Sequence, residues 1–277
     1  MIGLSTSSFY YKPKRDPILK AKADADLRDW IEKIQAELPR TGYRRLYEYL
    51  ARDGTVVNSK RIRRIMREHG LFAEVKKAFK TATTDSKHGL PVYPNLVKGL
   101  EITGPNQVWV SDITYIRITT CFIYLAVILD LFSRKVIGWA ISTSLHRDIC
   151  LVALRMALEE RKPAAGCVHH SDRGVQYASH DYVNLLLENK MVVSMSRKGN
   201  PYDNAFAESF MKTLKYEEVL LNDYETMTDV IERLPHFIEE VYNKKRLHSS
   251  LGYMTPVEFE AIYWKTKTND CNPHLNF

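Results

Sequence analysis

The sequence predicts an α/β domain that is preceded by a basic, helical region. From residue 107 onward, apolar and polar residues alternate as in strands, first in three successive segments and then in strands separated by helical segments. Before residue 80, apolar residues recur at helical spacing instead. This order of elements favours a sheet with helices on its faces in the C-terminal part of the chain.

Charge is distributed unevenly along the chain. The net charge is +7, but residues 1–100 contain 21 Lys+Arg against 11 Asp+Glu, and residues 101–277 contain 19 against 22. A basic N-terminal part favours a polyanion such as nucleic acid as its partner, although a solvated Lys-rich surface has the same composition. The four cysteines lack metal-ligand spacing, and no apolar run is long enough to span a membrane. These features are typical of a reduced, cytoplasmic protein.

Three helices are predicted in the N-terminal region. Their approximate bounds are 20–40, 42–52 and 59–69. Asn58 can cap the third helix, and Gly70 can end it. The third helix has an apolar face and, on the opposite side, a row of cations. These cations are Lys60, Arg63, Arg64 and Arg67.

A helix with one packing face and one cationic face is typical of the recognition helix of a helix-turn-helix, which enters the major groove of DNA. The second and third helices therefore predict such a motif at about 42–70, within a DNA-binding region that spans residues 1–80. A solvated amphipathic helix is the alternative interpretation.

Residues 81–104 are rich in Thr, Ser, Gly and Pro, which is typical of a linker or an extended arm. The α/β domain follows over residues 105–262. Residues 263–277 are predicted to form a C-terminal tail.

The α/β domain begins with three antiparallel strands. In the first strand, the segment QVWVSDITYI places Val108, Val110 and Asp112 on one side, and the other two strands flank a turn at 130–134. A helix at about 146–161 follows. Its predicted packing face consists of Ile149, Val152, Ala153, Met156 and Ala157.

The second half of the domain alternates between strand and helix. One short strand ends at Asp172, and another ends before the turn-rich segment GNPYDNAFAESF. Asp203 or Asn204 can cap the helix that this segment begins. A last helix is expected at about 228–242, where Pro235 predicts a break or a kink.

Three carboxylates lie where this architecture brings the ends of elements together. Asp112 is in the first strand, Asp172 ends the fourth, and Glu208 lies one turn into the helix after the fifth. Each alone could be a capping or salt-bridged acid, but a carboxylate in an apolar strand is costly unless its charge is compensated. Oxygen ligands without Cys or a His cluster favour Mg²⁺ or Mn²⁺. Two such ions can activate water or a 3′-hydroxyl in phosphoryl transfer.

Four cations surround the third carboxylate in the sequence. Lys212 and Lys215 follow Glu208 at i+4 and i+7 and share its helix face. Arg197 and Lys198 lie in the preceding loop. We expect these cations to hold DNA phosphates, and the alternative is an ordinary surface salt bridge.

Five segments carry motifs that are long and jointly specific: WVSDITYI, YLAVILDLFSRKVIGW, HHSDRGVQYAS, SMSRKGNPYDNAFAESFMKTLK and YNKKRLHSSLGYMTP. Together they resemble the transposases of the IS-three family of bacterial insertion sequences, specifically the protein that the second of two reading frames encodes. Asp172 and Glu208 have 35 residues between them, which matches the DDE spacing of that family, and Lys215 matches its basic residue seven positions later. The resemblance extends from about Thr41 to Phe259.

The resemblance implies a ribonuclease-H-like, retroviral-integrase-like catalytic core in which Asp112, Asp172 and Glu208 are the catalytic and metal-binding residues. It implies two Mg²⁺ ions, for which Mn²⁺ substitutes. The expected activity is that of a DDE transposase: metal-dependent cleavage at the 3′ ends of the element, followed by strand transfer, which integrates and recombines DNA.

The same resemblance implies the partners of the protein. These are double-stranded DNA, as terminal repeats and as target, further copies of the chain on that DNA, and the upstream-frame protein or its fusion. No membrane partner is expected, and the expected location is the bacterial cytoplasm, in association with the nucleoid.

Two other functions remain open at the level of sequence. One is a catalytically silent DNA-binding regulator or accessory subunit, against which the intact set of three acids argues. The other is a ribonuclease-H-like nuclease that hydrolyses without joining, against which the basic helix-turn-helix argues. The family's active enzyme is usually a frameshift fusion that adds a coiled coil, and this sequence shows no sustained heptad repeat.

Overall fold

The structure is a computed structural model that describes residues 16–72, 89–146, 148–197 and 204–271. The chain divides into two compact units, Met1–Glu74 and Val75–Phe277. Within the described residues, no helix has both the length and the apolar character needed to cross a membrane.

The N-terminal unit contains three helices, as predicted: α1 (Pro17–Glu37), α2 (Tyr43–Arg52) and α3 (Ser59–Glu68). The Asn58 side chain caps α3 by accepting a hydrogen bond of 2.8 Å from the Lys60 amide. Gly70 follows the helix with a φ of +66°, a conformation that glycine adopts at little cost. The helices enclose a core of their own, which includes Ile31, Leu46, Leu50, Ile62 and Ile65.

The second unit is built on a five-stranded mixed sheet with the order β3-β2-β1-β4-β5. The strands are β1 (Val108–Arg117), β2 (Phe122–Asp130), β3 (Val136–Ser142), β4 (Val168–Ser171) and β5 (Val192–Met195). The first three are antiparallel, and β4 and β5 run parallel to β1. This agrees with the predicted sequence of three strands followed by alternating helices and strands.

Helices cover both faces of the sheet. They are α4 (Asp148–Arg161), α5 (Val175–Ala178), α6 (His180–Glu188), α7 (Ala205–Leu214), α8 (Met227–His236) and α9 (Pro256–Cys271). Val108 and Val110 of β1 belong to one core cluster, with residues of α7 and α8. Trp109 belongs to the other, with residues of α4 and α6. The two-residue period of β1 therefore separates the two cores, as predicted.

The packing face of α4 differs from the prediction at several positions, since Cys150, Leu151 and Leu154 are also buried and Val152 is not. Val152 is 52% exposed, whereas Leu154 is fully buried. The helix approaches the sheet at Gly138 of β3, where an added Cβ would lie 2.8 Å from the Ala157 Cβ. Because the small residues Ala153 and Ala157 occupy this close contact, the buried face is rotated and Val152 points outward.

Pro235 does not break the helix that contains it. Helix α8 continues directly into a π-helical segment, Phe237–Lys245, and α7 likewise continues into the π-helical segment Lys215–Val219. A proline lacks the amide hydrogen that the α-helical ladder requires, and the wider π-helical register begins two residues after it.

Part of the predicted linker packs along the edge of the sheet as an extended arm. The Leu96 amide donates to the Ser194 hydroxyl at 2.9 Å, and the Met195 amide donates to the Pro94 carbonyl at 3.3 Å. Leu90 and Tyr93 pack against the core that contains α4. At the other end of the domain, α9 continues past residue 262. The boundaries proposed for the linker, the core and the tail stay predictions.

Candidate active site and nucleic-acid interface

The pairing of β1 with β4 brings Asp112 and Asp172 to one small pocket. Val110 is opposite His170 in the parallel register, so the two aspartates lie at the same level, two residues further along. Both line a cavity with a volume of about 20 Å³, together with Gly174, Gln176 and Tyr177 among others. This is room for about one water molecule or an ion of similar size.

The three predicted carboxylates interact electrostatically. Burial first, and then the negative charges of Asp172 and Glu208, together raise the pKa of Asp112 to about 7. The Ile113 amide, 2.9 Å from the Asp112 carboxylate, and the Lys215 ammonium act in the opposite direction. Burial also raises the pKa of Glu208. The ionised form of Asp112 is therefore destabilised, and a nearby cation would stabilise it.

Asp172 is held by the turn that follows β4. Its carboxylate accepts a hydrogen bond of 2.8 Å from the Gly174 amide. A Cβ at position 174 would lie 2.9 Å from the same carboxylate oxygen, so glycine allows this close approach. Among the described residues, no group of three His, Cys, Asp or Glu side chains is arranged to hold a metal ion.

Asn204 connects the helix that carries Glu208 to the strand that carries Asp112. Its side chain makes no cap to α7, contrary to the prediction. The Asn204 amide instead donates a hydrogen bond of 3.1 Å to the Ser111 carbonyl, 93 residues away. The other candidate cap, Asp203, lies outside the described residues. Sequence reasoning missed this connection because helix-start residues ordinarily suggest capping.

Lys215 is a predicted cation whose charge acts on the carboxylate of Asp112. Its ammonium lies 4.6 Å from the centre of the Tyr115 ring and lowers the pKa of Asp112. Lys212 is exposed on α7, and Arg197 is exposed two residues after β5. Lys198 lies outside the described residues.

The cations of α3 have two different environments. Lys60, Arg63 and Arg67 are exposed. Arg64 instead makes ion pairs of 2.6 Å with Asp24 of α1 and 2.8 Å with Glu68. Arg61, which is not among the predicted DNA contacts, shares Asp24 at 2.6 Å. The structure therefore places Arg64 in a contact between α1 and α3, although its side chain stays 40% exposed.

Two buried histidines of β4 directly precede the segment that carries Asp172. The ring of His169 lies 2.9 Å from the Tyr182 hydroxyl, and that of His170 lies 2.8 Å from the Ser194 hydroxyl. Burial lowers the pKa of His169 to about 3, so this histidine is neutral. Both histidines precede Asp172 in the segment HHSD, whose polar residues are the only sequence signal for them.

Family comparisons match both units of the chain. A model described as an integrase core domain matches residues 102–201, and a second model with the same description matches residues 189–256. A model described as an HTH-like domain matches residues 22–79. Together with the observed mixed sheet, these matches confirm the predicted fold class.

Relatives are similar over most of the chain. The insertion element IS600 uncharacterized 31 kDa protein of Shigella sonnei is 37% identical over 95% of this chain and 97% of its own. The transposase for insertion sequence element IS904 of Lactococcus lactis is 39% identical, over 83% and 92%. Transposase InsF for insertion sequence IS3A of Escherichia coli is 39% identical, over 80% and 77%.

Among solved structures, a simian T-cell lymphotropic virus intasome chain aligns at 16% identity with a TM-score of 0.49, covering 79% of this chain and 74% of that one. The HTLV-2 integrase catalytic core domain in complex with magnesium aligns at 15% identity with a TM-score of 0.43, covering 57% and 97%.

Proposed function

The chain belongs to the insertion-sequence transposases that combine an HTH-like domain with an integrase core, and we propose that it cleaves the 3′ ends of its element and transfers them to target DNA. The observation that carries this proposal is the shared pocket of Asp112 and Asp172, in which the pKa of Asp112 also responds to Glu208. Converging carboxylates of this kind are the ligands that phosphoryl-transfer metals require.

The ligand chemistry of the three carboxylates suits a hard divalent cation, and the pocket that Asp112 and Asp172 share has room for one small ion. They offer only oxygen ligands, and a cation would offset both the burial and the like-charge repulsion that raise the pKa of Asp112. We propose that Asp112, Asp172 and Glu208 hold two Mg²⁺ ions and that Mn²⁺ substitutes. Such ions supply a deprotonated water or 3′-hydroxyl and stabilise the leaving oxygen.

The protein's own residues then orient the carboxylates and the DNA. The Gly174 amide fixes Asp172, and the Asn204 amide fixes the start of α7 against β1. Lys215 offsets the negative charge beside Asp112. We propose that Lys212, Lys215, Arg197 and Lys198 hold phosphates near the reacting bond.

DNA capture is proposed to use the N-terminal unit. The exposed cations Lys60, Arg63 and Arg67 of α3 are the proposed contacts. Arg64, the fourth predicted contact, would orient α3 through Asp24 instead. Further proposals are that copies of the chain assemble on the element ends, that the upstream-frame protein takes part, and that the transposase acts at the nucleoid.

The test is a cleavage and joining assay on terminal-repeat DNA with Mg²⁺. We expect Asp112→Asn, Asp172→Asn and Glu208→Gln each to abolish cleavage and joining while DNA binding persists, because they remove metal ligands and not phosphate contacts. Glu188→Gln, at an exposed carboxylate of α6, is the matched control and should retain activity.

Each alternative has its own outcome in this assay. Cleavage without joining would indicate a nuclease, and binding without cleavage by the wild type would indicate a silent regulator. Normal cleavage by any of the three variants would contradict the assignment of that carboxylate.

A further inference from the structure

A second, larger cavity lies beside the aspartate pocket. It has a volume of about 430 Å³ and is formed by the end of β1, the turn at residues 118–121, and the π-helical segment that follows α7. Ile116, Ile118, Val219 and Leu220 contribute apolar surface to it. We name this cavity the β1 groove. Its volume is within the range, roughly 300–1,000 Å³, of pockets that hold small organic ligands.

The β1 groove and the aspartate pocket share a wall. Tyr115 lines both cavities. Lys215 lines the β1 groove, with its ammonium over the Tyr115 ring at 4.6 Å, and its charge acts on Asp112. An occupant of the groove would therefore be a direct neighbour of a group that reacts at the carboxylates.

Positive and negative side chains line different parts of the β1 groove. Lys215, the first residue of the π-helical segment, and the exposed Arg117 of β1 are its cationic lining residues. Asp223 and Glu225 line it from the loop after the π-helical segment. A phosphate would be attracted toward the lysine and repelled from the acidic loop, which gives a nucleotide one preferred orientation.

We infer that the β1 groove binds one unstacked nucleotide of the DNA end, adjacent to the phosphate that is cut. Its base would contact Tyr115 and the apolar wall, and its phosphate would lie toward Lys215 and Arg117. An apolar wall can contact the face of a base only when that base has left its stack in the duplex. Aromatic side chains accept such bases with little dependence on sequence. This inference rests on the proposed function, since it assumes a DNA end at the carboxylates.

The chain offers a matched pair of variants for the test. Thr119 and Thr120 are adjacent and exposed in the turn, and of the two only Thr119 lines the groove. Thr119→Trp would fill the groove, whereas Thr120→Trp adds the same side chain outside it. Melting temperatures of both full-length variants check folding. If Thr119→Trp is unstable, Thr119→Gln replaces it with the same expected direction of effect.

The experiment measures affinity for terminal-repeat DNA in which one base at a time is removed on either side of the cut. At one position, base removal should weaken wild-type binding about fivefold or more. The effect should vanish in Thr119→Trp and persist in Thr120→Trp. The fluorescence of 2-aminopurine at that position should change on binding to the wild type and to Thr120→Trp, but not to Thr119→Trp.

Two results would overturn the inference: no position at which base removal matters, or equal behaviour of the two Trp variants. If the wild type cuts and joins DNA but base removal has no effect at any position, the groove assignment is wrong and the proposed function stands. A wild type that binds ends but never cuts them overturns the proposed function, while the binding measurements still decide the groove.

Discussion

At the scale of single residues, Lys215 influences the protonation of a candidate catalytic carboxylate. Its charge lowers the pKa of Asp112, which burial and two carboxylates raise. The lysine therefore helps Asp112 to be ionised near neutral pH, in addition to any phosphate that it holds.

We expect Lys215→Ala to lower cleavage and joining without unfolding the protein. Because the variant loses the charge that lowers the pKa of Asp112, the rising limb of the cleavage–pH profile should move to higher pH. Lys215→Arg should restore its position, and Lys265→Ala, at an exposed position of α9, is the control. Full activity combined with a lower melting temperature would show that the lysine is only structural.

His169 determines part of the stability of the fold against acid. Its pKa is lowered from 6.5 to about 3 by burial. Between these values the unfolded chain binds a proton that the folded chain does not, so stability is lost as pH falls from 6.5 toward 3, by at most about 1.4 kcal/mol per pH unit. His169→Gln should flatten this loss.

The measurement for His169 is the free energy of unfolding between pH 6.5 and pH 4. His180→Gln, which changes an exposed histidine, should keep the wild-type slope. An identical slope in His169→Gln would mean that other groups cause the acid sensitivity.

At the scale of elements, the position of α7 depends on one buried hydrogen bond to β1. Asn204→Ala leaves the Ser111 carbonyl without its donor, a loss that typically costs about 1–3 kcal/mol in a buried site. We expect a lower melting temperature and a higher Mg²⁺ requirement for cleavage, because Glu208 is no longer fixed relative to Asp112.

Asn189→Ala is the matched control for this bond, since the Asn189 side-chain amide donates to the Leu185 carbonyl of α6, the helix that it directly follows. DNA binding should be unchanged in both variants. An unchanged Mg²⁺ requirement in Asn204→Ala would restrict its role to stability.

Because the cations of α3 lie in two environments, we expect two different effects when they are replaced. Lys60→Ala and Arg67→Ala should weaken DNA binding and each reduce the slope of log K against log salt by about 1, because each removes one phosphate contact. Arg64→Ala should chiefly lower the melting temperature, because it removes an ion pair with Asp24. The control is Lys33→Ala on α1, and equal salt slopes for Arg67→Ala and Lys33→Ala would contradict the DNA contact.

At the scale of the whole molecule, each unit has a core of its own. Removal of residues 1–80 should therefore leave a folded catalytic unit. That fragment should bind terminal-repeat DNA more weakly, with a flatter salt dependence, since the proposed phosphate contacts of α3 are gone. Titration of the fragment and the full chain at several salt concentrations checks this, and equal affinity and slope would refute DNA capture by the helix-turn-helix.

Much of the fold was predictable because its signals are local. The helical spacing before residue 70, the Asn58 cap and the strand alternation around Asp112 depend on neighbours in the chain. The pairing of β1 with β4 then brings Asp112 and Asp172 to one pocket, as the element order predicted. The break or kink expected at Pro235 is another local inference: the helix is not broken but continues in a wider register, and the kink stays a prediction.

The sequence by itself determined the fold class, the order of elements and the three candidate carboxylates. Only the tertiary structure decided which partner each polar side chain has: Asp24 for Arg64, Ser111 for Asn204, and Tyr115 for Lys215. It also decided that Val152 faces outward and that the β1 groove exists beside the aspartates. Periodicity determines which face of an element is apolar. Residues far apart in sequence become partners only through the distance and rotation between elements, which close packing sets, as at Gly138.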